Sequence, residues 1–484
     1  MRRLAGVLAV LALAVSGCGG TSSGAGTGGA DIVPADATMF IALNTDADSA
    51  QWQTADDLAS RFPDKQDAVK TIKKGLRDEG FDWETDVKSA LGPEFDFVWL
   101  DLEQNGENFV VITQPKDQAK FDKLISKAQK SSDDIFRDQV GDWEVLGPNR
   151  EVVATFRRES ESSDSKLADN QDFNDAMSSY PEDSLFRGYL NGRQIMDVAR
   201  RDLTAKERKT FDKLGDLDWI AAGLRATSEG IRFDMNLHGK AGPALRGVTP
   251  TQPFKPSLTK EVPKDALFYA TFHGAKGMLT GLENNPLFKD SPELKRYSNV
   301  LRRVESLLQG ENAFYVRPGP SGKIPEVTFV TEPAPGTNGA ATLDRILSRY
   351  RLDLDLPSQP KPTRVAGLPG RKIELGSVDV YYANVGGRLV ITDFPAGVQA
   401  LKGNAPSLAQ SDEYAGAVGS SGMPAKTEGF FYVNVRGGIS YGERLANTPL
   451  PEGIKRNLRP LRSAVEYVAT RPSEVQITFF LRIK

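Results

Sequence analysis

Cysteine and histidine, the side chains whose spacing most often marks metal or nucleophilic chemistry, are scarce in this 484-residue chain: it contains one cysteine and two histidines. His238 and His273 have no carboxylate or second histidine at i+3 or i+4, so H-E-x-x-H is absent and ligands for zinc are scarce. Asn44, Asp46 and Asp48 begin like an EF-hand loop. Ser49 then stands where the glycine belongs and Ala55 where the closing acid belongs. They read instead as a helix entry rich in capping groups. Ser163 with Lys166, and Ser257 with Lys260, satisfy S-x-x-K, in which an amine can activate a serine. No K-T-G or G-x-S-x-G accompanies them, and Ser257 falls in a proline-rich stretch. Gly24, Gly26 and Gly29 satisfy G-x-G-x-x-G, but no strand precedes and no helix follows, so a dinucleotide site fails on context. Enzymatic chemistry is disfavoured, and no metal or cofactor is expected.

A duplicated Tyr-x-Asn-x-Arg is the one motif that could mark a site. "YLNGR" begins at Tyr189 and "YVNVR" at Tyr432. As ligand-binding groups, Arg193 and Arg436 would be paired anion anchors, with Tyr189 and Tyr432 beside them. As structure, each tyrosine ends an inward-facing strand pattern, and Asn191 and Asn434 cap the helices that follow. The structural reading is preferred, because caps at strand-to-helix turns are common. Gly437 and Gly438 make the second copy a poor helix start.

Cys18 is the remaining reactive side chain, and its context is specific. Arg2 and Arg3 precede an uncharged run from Leu4 to Val15. That run is short of the roughly 20 residues of a membrane span and has the shape of a secretory signal h-region. Val15, Ser16, Gly17 and Cys18 resemble a bacterial lipobox, with valine in place of the usual leucine. The thiol would take the lipid, residues 1–17 would be removed, and Cys18 would become the acylated N-terminus. Residues 18–31, rich in Gly, Thr, Ser and Ala, read as a flexible tether spanning roughly 20 Å on average.

The rest is ordinary globular material, 39% hydrophobic and 26% charged, without a second stretch approaching a membrane span. Formal net charge is −3, and −5 without Arg2 and Arg3, which argues against non-specific nucleic-acid binding. Charge divides unevenly, with −13 over residues 31–250 and +8 over 251–484. A molecule with that division carries a dipole able to orient it above a charged surface.

Three matches recur in order. Val33-Pro-Ala-Asp-Ala37 returns as Val262-Pro-Lys-Asp-Ala266, "LADNQDFNDAM" at Leu167 returns as "LAQSDEYAGAV" at Leu408, and Tyr189 returns as Tyr432. Order and near-constant offset point to duplication. Residues 32–240 and 261–484 are the two repeats, joined by a proline-rich linker at 241–260. "FDFVWLDL" and "NFVVIT" flank Asn105-Gly106, "DVYYANV" and "RLVITDF" flank Gly386-Gly387, and "WIAAGLRAT" and "IRFDMNL" flank Ser228 to Gly230. These are hairpins, so the sheets are antiparallel. Phe173, Ala176, Met177 and Tyr180 form one helical stripe, repeated by Tyr414, Ala417 and Val418. Thr204 with Glu207 reads as a capping box. The expected fold is α+β, with two similar halves, each a twisted mainly antiparallel sheet with helices packed on one face.

The lipobox, the tether, the V-P-x-D-A strand entry, the L-A-x-x-x-acidic-aromatic helix and the two-half organisation resemble a domain-of-unknown-function family of bacterial lipoproteins. The resemblance implies an exported protein, held by lipid on the extracytoplasmic face of a cell membrane. It supplies no catalytic residues. The expected role is non-enzymatic binding of a lipid, glycan or envelope-protein ligand, with an envelope hydrolase as the alternative. A deep apolar cleft would favour a lipid or other small molecule, and a flat polar face would favour protein contact.

Overall fold

The structure, a computed structural model, describes residues 27–101, 106–131, 135–242, 253–274, 278–285, 291–403 and 405–484. Cys18, the signal segment, most of the tether, residues 243–252 of the linker and Asn105 lie outside the described residues. The chain divides into two compact units. One runs to Leu203 and includes Leu217–Gly239 and Ile483–Lys484; the other comprises Thr204–Asp216 and Lys240–Arg482. The fold is α+β and the sheets are antiparallel.

The first unit contains β1 (Met39–Asn44), β2 (Glu94–Trp99), β3 (Phe109–Thr113), β4 (Phe136–Val140), β5 (Trp143–Gly147) and β6 (Phe186–Asn191), followed by β7 (Gly215–Thr227) and β8 (Gly230–Ala241). Antiparallel pairing gives the order β4-β5-β3-β2-β1-β6-β7. Ile41 sits opposite both Phe97 and Gly188, which fixes the register of the three central strands.

The second unit contains β9 (Phe268–His273), β10 (Glu311–Pro318), β11 (Pro325–Thr331), β12 (Lys361–Val365), β13 (Leu368–Leu375), β14 (Val378–Val385), β15 (Arg388–Thr392), β16 (Gly429–Val433), β17 (Leu461–Arg471) and β18 (Glu474–Ile483). Its pairing order is β12-β13-β14-β15-β11-β10-β9-β16-β17. Gly386 and Gly387 both take positive φ, 57° and 86°, as the tight β14–β15 turn demands.

Helices and core lie on both faces of each sheet, not on one. In the first unit Phe40, Val98, Ile112 and Tyr189 join one core with Phe156 and Phe173 from the helices Arg150–Ser162 and Gln171–Met177. Phe95, Val111 and Leu146 join another with Leu76 from the helix Lys65–Asp78 and Phe121 from the helix Gln118–Ser131. In the second unit the neighbours Tyr382 and Ala383 belong to different cores, as do Leu389 and Val390. Successive strand residues point to opposite faces, so an unbroken apolar run such as "FVVI" or "LVI" fills two cores at once.

The first unit's N-terminal edge also differs from expectation. Residues Gly28–Asp31 form a 3-10 turn with Gly29 and Ala30 buried, so they belong to the folded body rather than to a tether. Gly29 N–H donates to Glu94 Oε1 at 3.3 Å, and the chain then runs beside Leu167, whose N–H donates to Val33 O at 2.8 Å. The described end of the linker is likewise fastened in the second unit. Phe254 and Thr427 exchange two backbone hydrogen bonds of 3.0 Å, Ser257 and Leu258 N–H donate to the Glu311 carboxylate, and Leu408 N–H donates to Val262 O at 2.7 Å.

Candidate functional site

The second unit holds an open apolar pocket of about 450 Å³, inside the roughly 300–1,000 Å³ range of small-molecule sites. The helix Pro292–Val304 forms its main wall. Ser291 caps that helix by accepting Leu294 N–H at 3.2 Å, Pro292 sits in the first turn where its missing N–H costs nothing, and Arg302 and Arg303 end it on the favourable side of its dipole. Leu294, Tyr297 and Leu301 fall at i, i+3 and i+7 and line the pocket, while buried Val300 joins it to the core of Leu343 and Ile346. Leu282, from the helix Met278–Asn284, and Leu354, just beyond the helix Gly339–Arg349, complete it. Leu301 is 38% exposed and the nearby Leu352 74%, so this side of the unit shows apolar surface to solvent.

The pocket is flanked by cations. The Arg296 guanidinium lies over the ring of Tyr297 at 5.1 Å and pairs with Asp355 at 3.3 Å, one residue after Leu354. Arg302 pairs with Glu283 at 2.5 Å, one residue after Leu282. Arg303 Nε donates to Tyr350 Oη at 3.0 Å, and Arg349 stacks over the same ring at 5.8 Å.

The duplicated sequence motif occupies different places. Tyr189 and Tyr432 are core residues, set edge-on to Phe173 at 5.3 Å and to Tyr414 at 5.2 Å. They are not surface ligand groups, because β6 and β16 turn those positions inward. Asn191 and Asn434 are caps: Asn191 accepts Gln194 N–H at 3.2 Å and Asn434 accepts Gly437 N–H at 2.8 Å. Arg193 is held between Asp172 at 2.6 Å and Asp218 at 2.8 Å, so two carboxylates already neutralise the proposed anion anchor. Arg436 is exposed, with no ion pair among the described residues.

The serine pairs are not assembled either. Ser163 Oγ donates to Ser165 O, while Lys166 Nζ turns to the carbonyls of Ser160 and Ser163. Ser257 Oγ donates to Glu311 at 2.6 Å. Asn44 Oδ1 and Asp46 Oδ1 cap the backbone N–H groups of Asp46 and Asp48 in turn, and Ser49 caps the next helix, so those polar groups serve the helix entry. Among the described residues no group of three or more His, Cys, Asp or Glu could hold a metal ion.

Sequence reasoning missed two polar clusters. His238 Nδ1 lies 3.1 Å from Asp218 Oδ2 and its ring stacks on Trp219 at 5.0 Å. A cross-strand partner 20 residues away has no signature in local spacing. On β2, Glu94 and Asp96 are buried side by side near Arg187. Burial pushes both carboxyls above their ordinary range, and for Asp96 the neighbouring Glu94 adds to the effect.

Among the described residues no helix is long and apolar enough to cross a membrane. No protein-family model matches this sequence, and no curated protein matches it. A solved structure described as crystal form III of TP0453 aligns over 48% of this chain and 79% of that one, at 15% identity and a TM-score of 0.26, a likeness too slight to transfer a fold or a role.

Proposed function

We propose that this chain is an envelope protein anchored through lipid on Cys18, and that it binds an apolar ligand in the second unit's pocket rather than catalysing a reaction. The observation that carries the binding reading is the pocket lining, six apolar or aromatic side chains with Ser291 as the one small polar group. Such a lining desolvates a hydrocarbon ligand at little cost. Engagement of Ser163 and Ser257 with a backbone carbonyl and with Glu311 supports binding over the hydrolase alternative.

The two units are, in this reading, copies of one fold. In each, the V-P-x-D-A entry receives an N–H from the L-A segment, at Val33–Leu167 and Val262–Leu408. In each, a strand-end asparagine donates its N–H at 2.8 Å to the residue before the first strand, Asn191 to Thr38 and Asn434 to Leu267. Pairing around β1 (β5-β3-β2-β1-β6-β7) matches that around β9 (β15-β11-β10-β9-β16-β17). The three sequence repeats are thus the contact points of one supporting frame.

Two measurements test the proposal. Replacing Cys18 by Ala should move the protein out of the membrane fraction, and its retention there would overturn anchoring. Native mass spectrometry of the detergent-extracted full chain should show a bound apolar ligand, lost in Leu301→Trp, which fills the pocket mouth. Ligand-free protein, or a ligand retained by Leu301→Trp, would overturn the pocket reading; so would binding confined to a glycan or a protein partner.

A further inference from the structure

We infer that the pocket takes an acyl chain of an anionic phospholipid, and that Arg296 receives the phosphate. The inference rests on the apolar-ligand reading and adds the head group to it. Helix Pro292–Val304 carries Lys295, Arg296, Arg302 and Arg303 beside an apolar wall. A bare hydrocarbon site has no use for such a flank; a phosphate at the end of a hydrocarbon does.

Arg296 is the best placed of the four. Its guanidinium rests on the face of Tyr297, a residue of the pocket lining, and its counter-ion Asp355 follows Leu354, another residue of the lining. The ion pair therefore lies at the edge of the cavity. Arg296 and Asp355 are 52% and 78% exposed, and exposed pairs of this kind contribute little to stability. A phosphodiester offers the same guanidinium a charged, bidentate partner, so exchange of Asp355 for phosphate costs the protein little. Arg302 and Glu283 form a similar pair beside Leu282, six residues further along the helix.

The test uses the full-length chain, extracted in detergent and exchanged into nanodiscs that contain either phosphatidylglycerol or phosphatidylcholine with identical diazirine-bearing acyl chains. Crosslinked peptides are mapped by mass spectrometry. Label should fall on the segment 294–301 with both lipids, and phosphatidylglycerol should exceed phosphatidylcholine by about fivefold, the factor expected of one cation near an anionic head group. Arg296→Gln should remove that preference while keeping the label in the pocket, and Asp355→Asn, which frees the arginine, should increase it. Raising salt to 0.5 M should shrink it. Equal labelling by both lipids, or a preference untouched by Arg296→Gln, overturns the head-group assignment and leaves the apolar pocket standing. Absence of label from 294–301 with either lipid overturns the pocket reading itself. Both substitutions are at exposed side chains, and unchanged thermal midpoints would show that each variant is folded.

Discussion

Gly29 and Asp96 are fitted together so closely that a β-carbon added to Gly29 would come within 2.0 Å of Asp96 Oδ2 and 2.8 Å of Ile112 Cδ1. The glycine brings backbone against a buried carboxylate in the middle of the first unit's sheet, where Asp96 faces Ala42 on one side and Ile112 on the other. Gly29→Ala should therefore destabilise the first unit by about 1–3 kcal/mol, the usual cost of overpacking a core. A denaturant midpoint equal to that of the parent protein would contradict this.

Asp96 should make stability fall as pH rises. Its folded pKa is raised, by burial first and by the Glu94 charge next, with Arg187 partly opposing both. In the unfolded chain Asp ionises near pH 4, so from that pH upward the unfolded state releases a proton that the native state retains, and native stability declines. Asp96→Asn removes that penalty. Its stability relative to the parent should improve between pH 4 and pH 7, measured by chemical denaturation at each pH. A constant difference across the range would show that Asp96 is not held protonated.

Tyr432 separates a core role from a ligand role. Its hydroxyl is buried with no hydrogen-bond partner among the described residues, a group that costs about 1–3 kcal/mol to desolvate. Tyr432→Phe should leave stability unchanged or raise it by about 1 kcal/mol, read from the denaturant midpoint. A loss of more than that would mean the hydroxyl has a partner and belongs to a site.

Two adjacent glycines in the helix Val435–Ala446 should respond in opposite ways. A β-carbon on Gly438 meets nothing within 4 Å among the described residues, whereas one on Gly437 comes within 2.8 Å of the capping side chain of Asn434. Gly438→Ala should stabilise by about 0.5–1 kcal/mol through helix propensity, and Gly437→Ala should destabilise by displacing the cap. Equal thermal shifts would mean that Asn434 does not cap in solution.

The α+β class with antiparallel strands was legible because hairpin turns and helix caps are local in sequence. Asn191 and Asn434 cap the helices that follow their strands, and Val33 and Val262 accept N–H groups from Leu167 and Leu408. The chemistry assigned to Arg193 was not legible, since its neutralising Asp218 arrives from a strand 25 residues on. "EFDFVW" alternates like a strand with one wet face, yet Glu94 and Asp96 are dry because the turn at Gly29 covers them. The pocket left the faintest trace of all. Leu294, Tyr297 and Leu301 make an ordinary helical stripe, and only the placement of Leu282 and Leu354 turns that stripe into a cavity.

The buried turn at Gly28–Asp31 also decides where a pull on the N-terminus would be felt. Tension applied ahead of Thr27 reaches the Gly29–Glu94 hydrogen bond first and the Val33–Leu167 bond next, one after the other along the chain. Links loaded in series fail singly, at lower force than links sharing a load. The first unit would thus yield by peeling its leading turn from β2 while the strands behind it stayed paired, like a fastening with a few sacrificial stitches ahead of the seam.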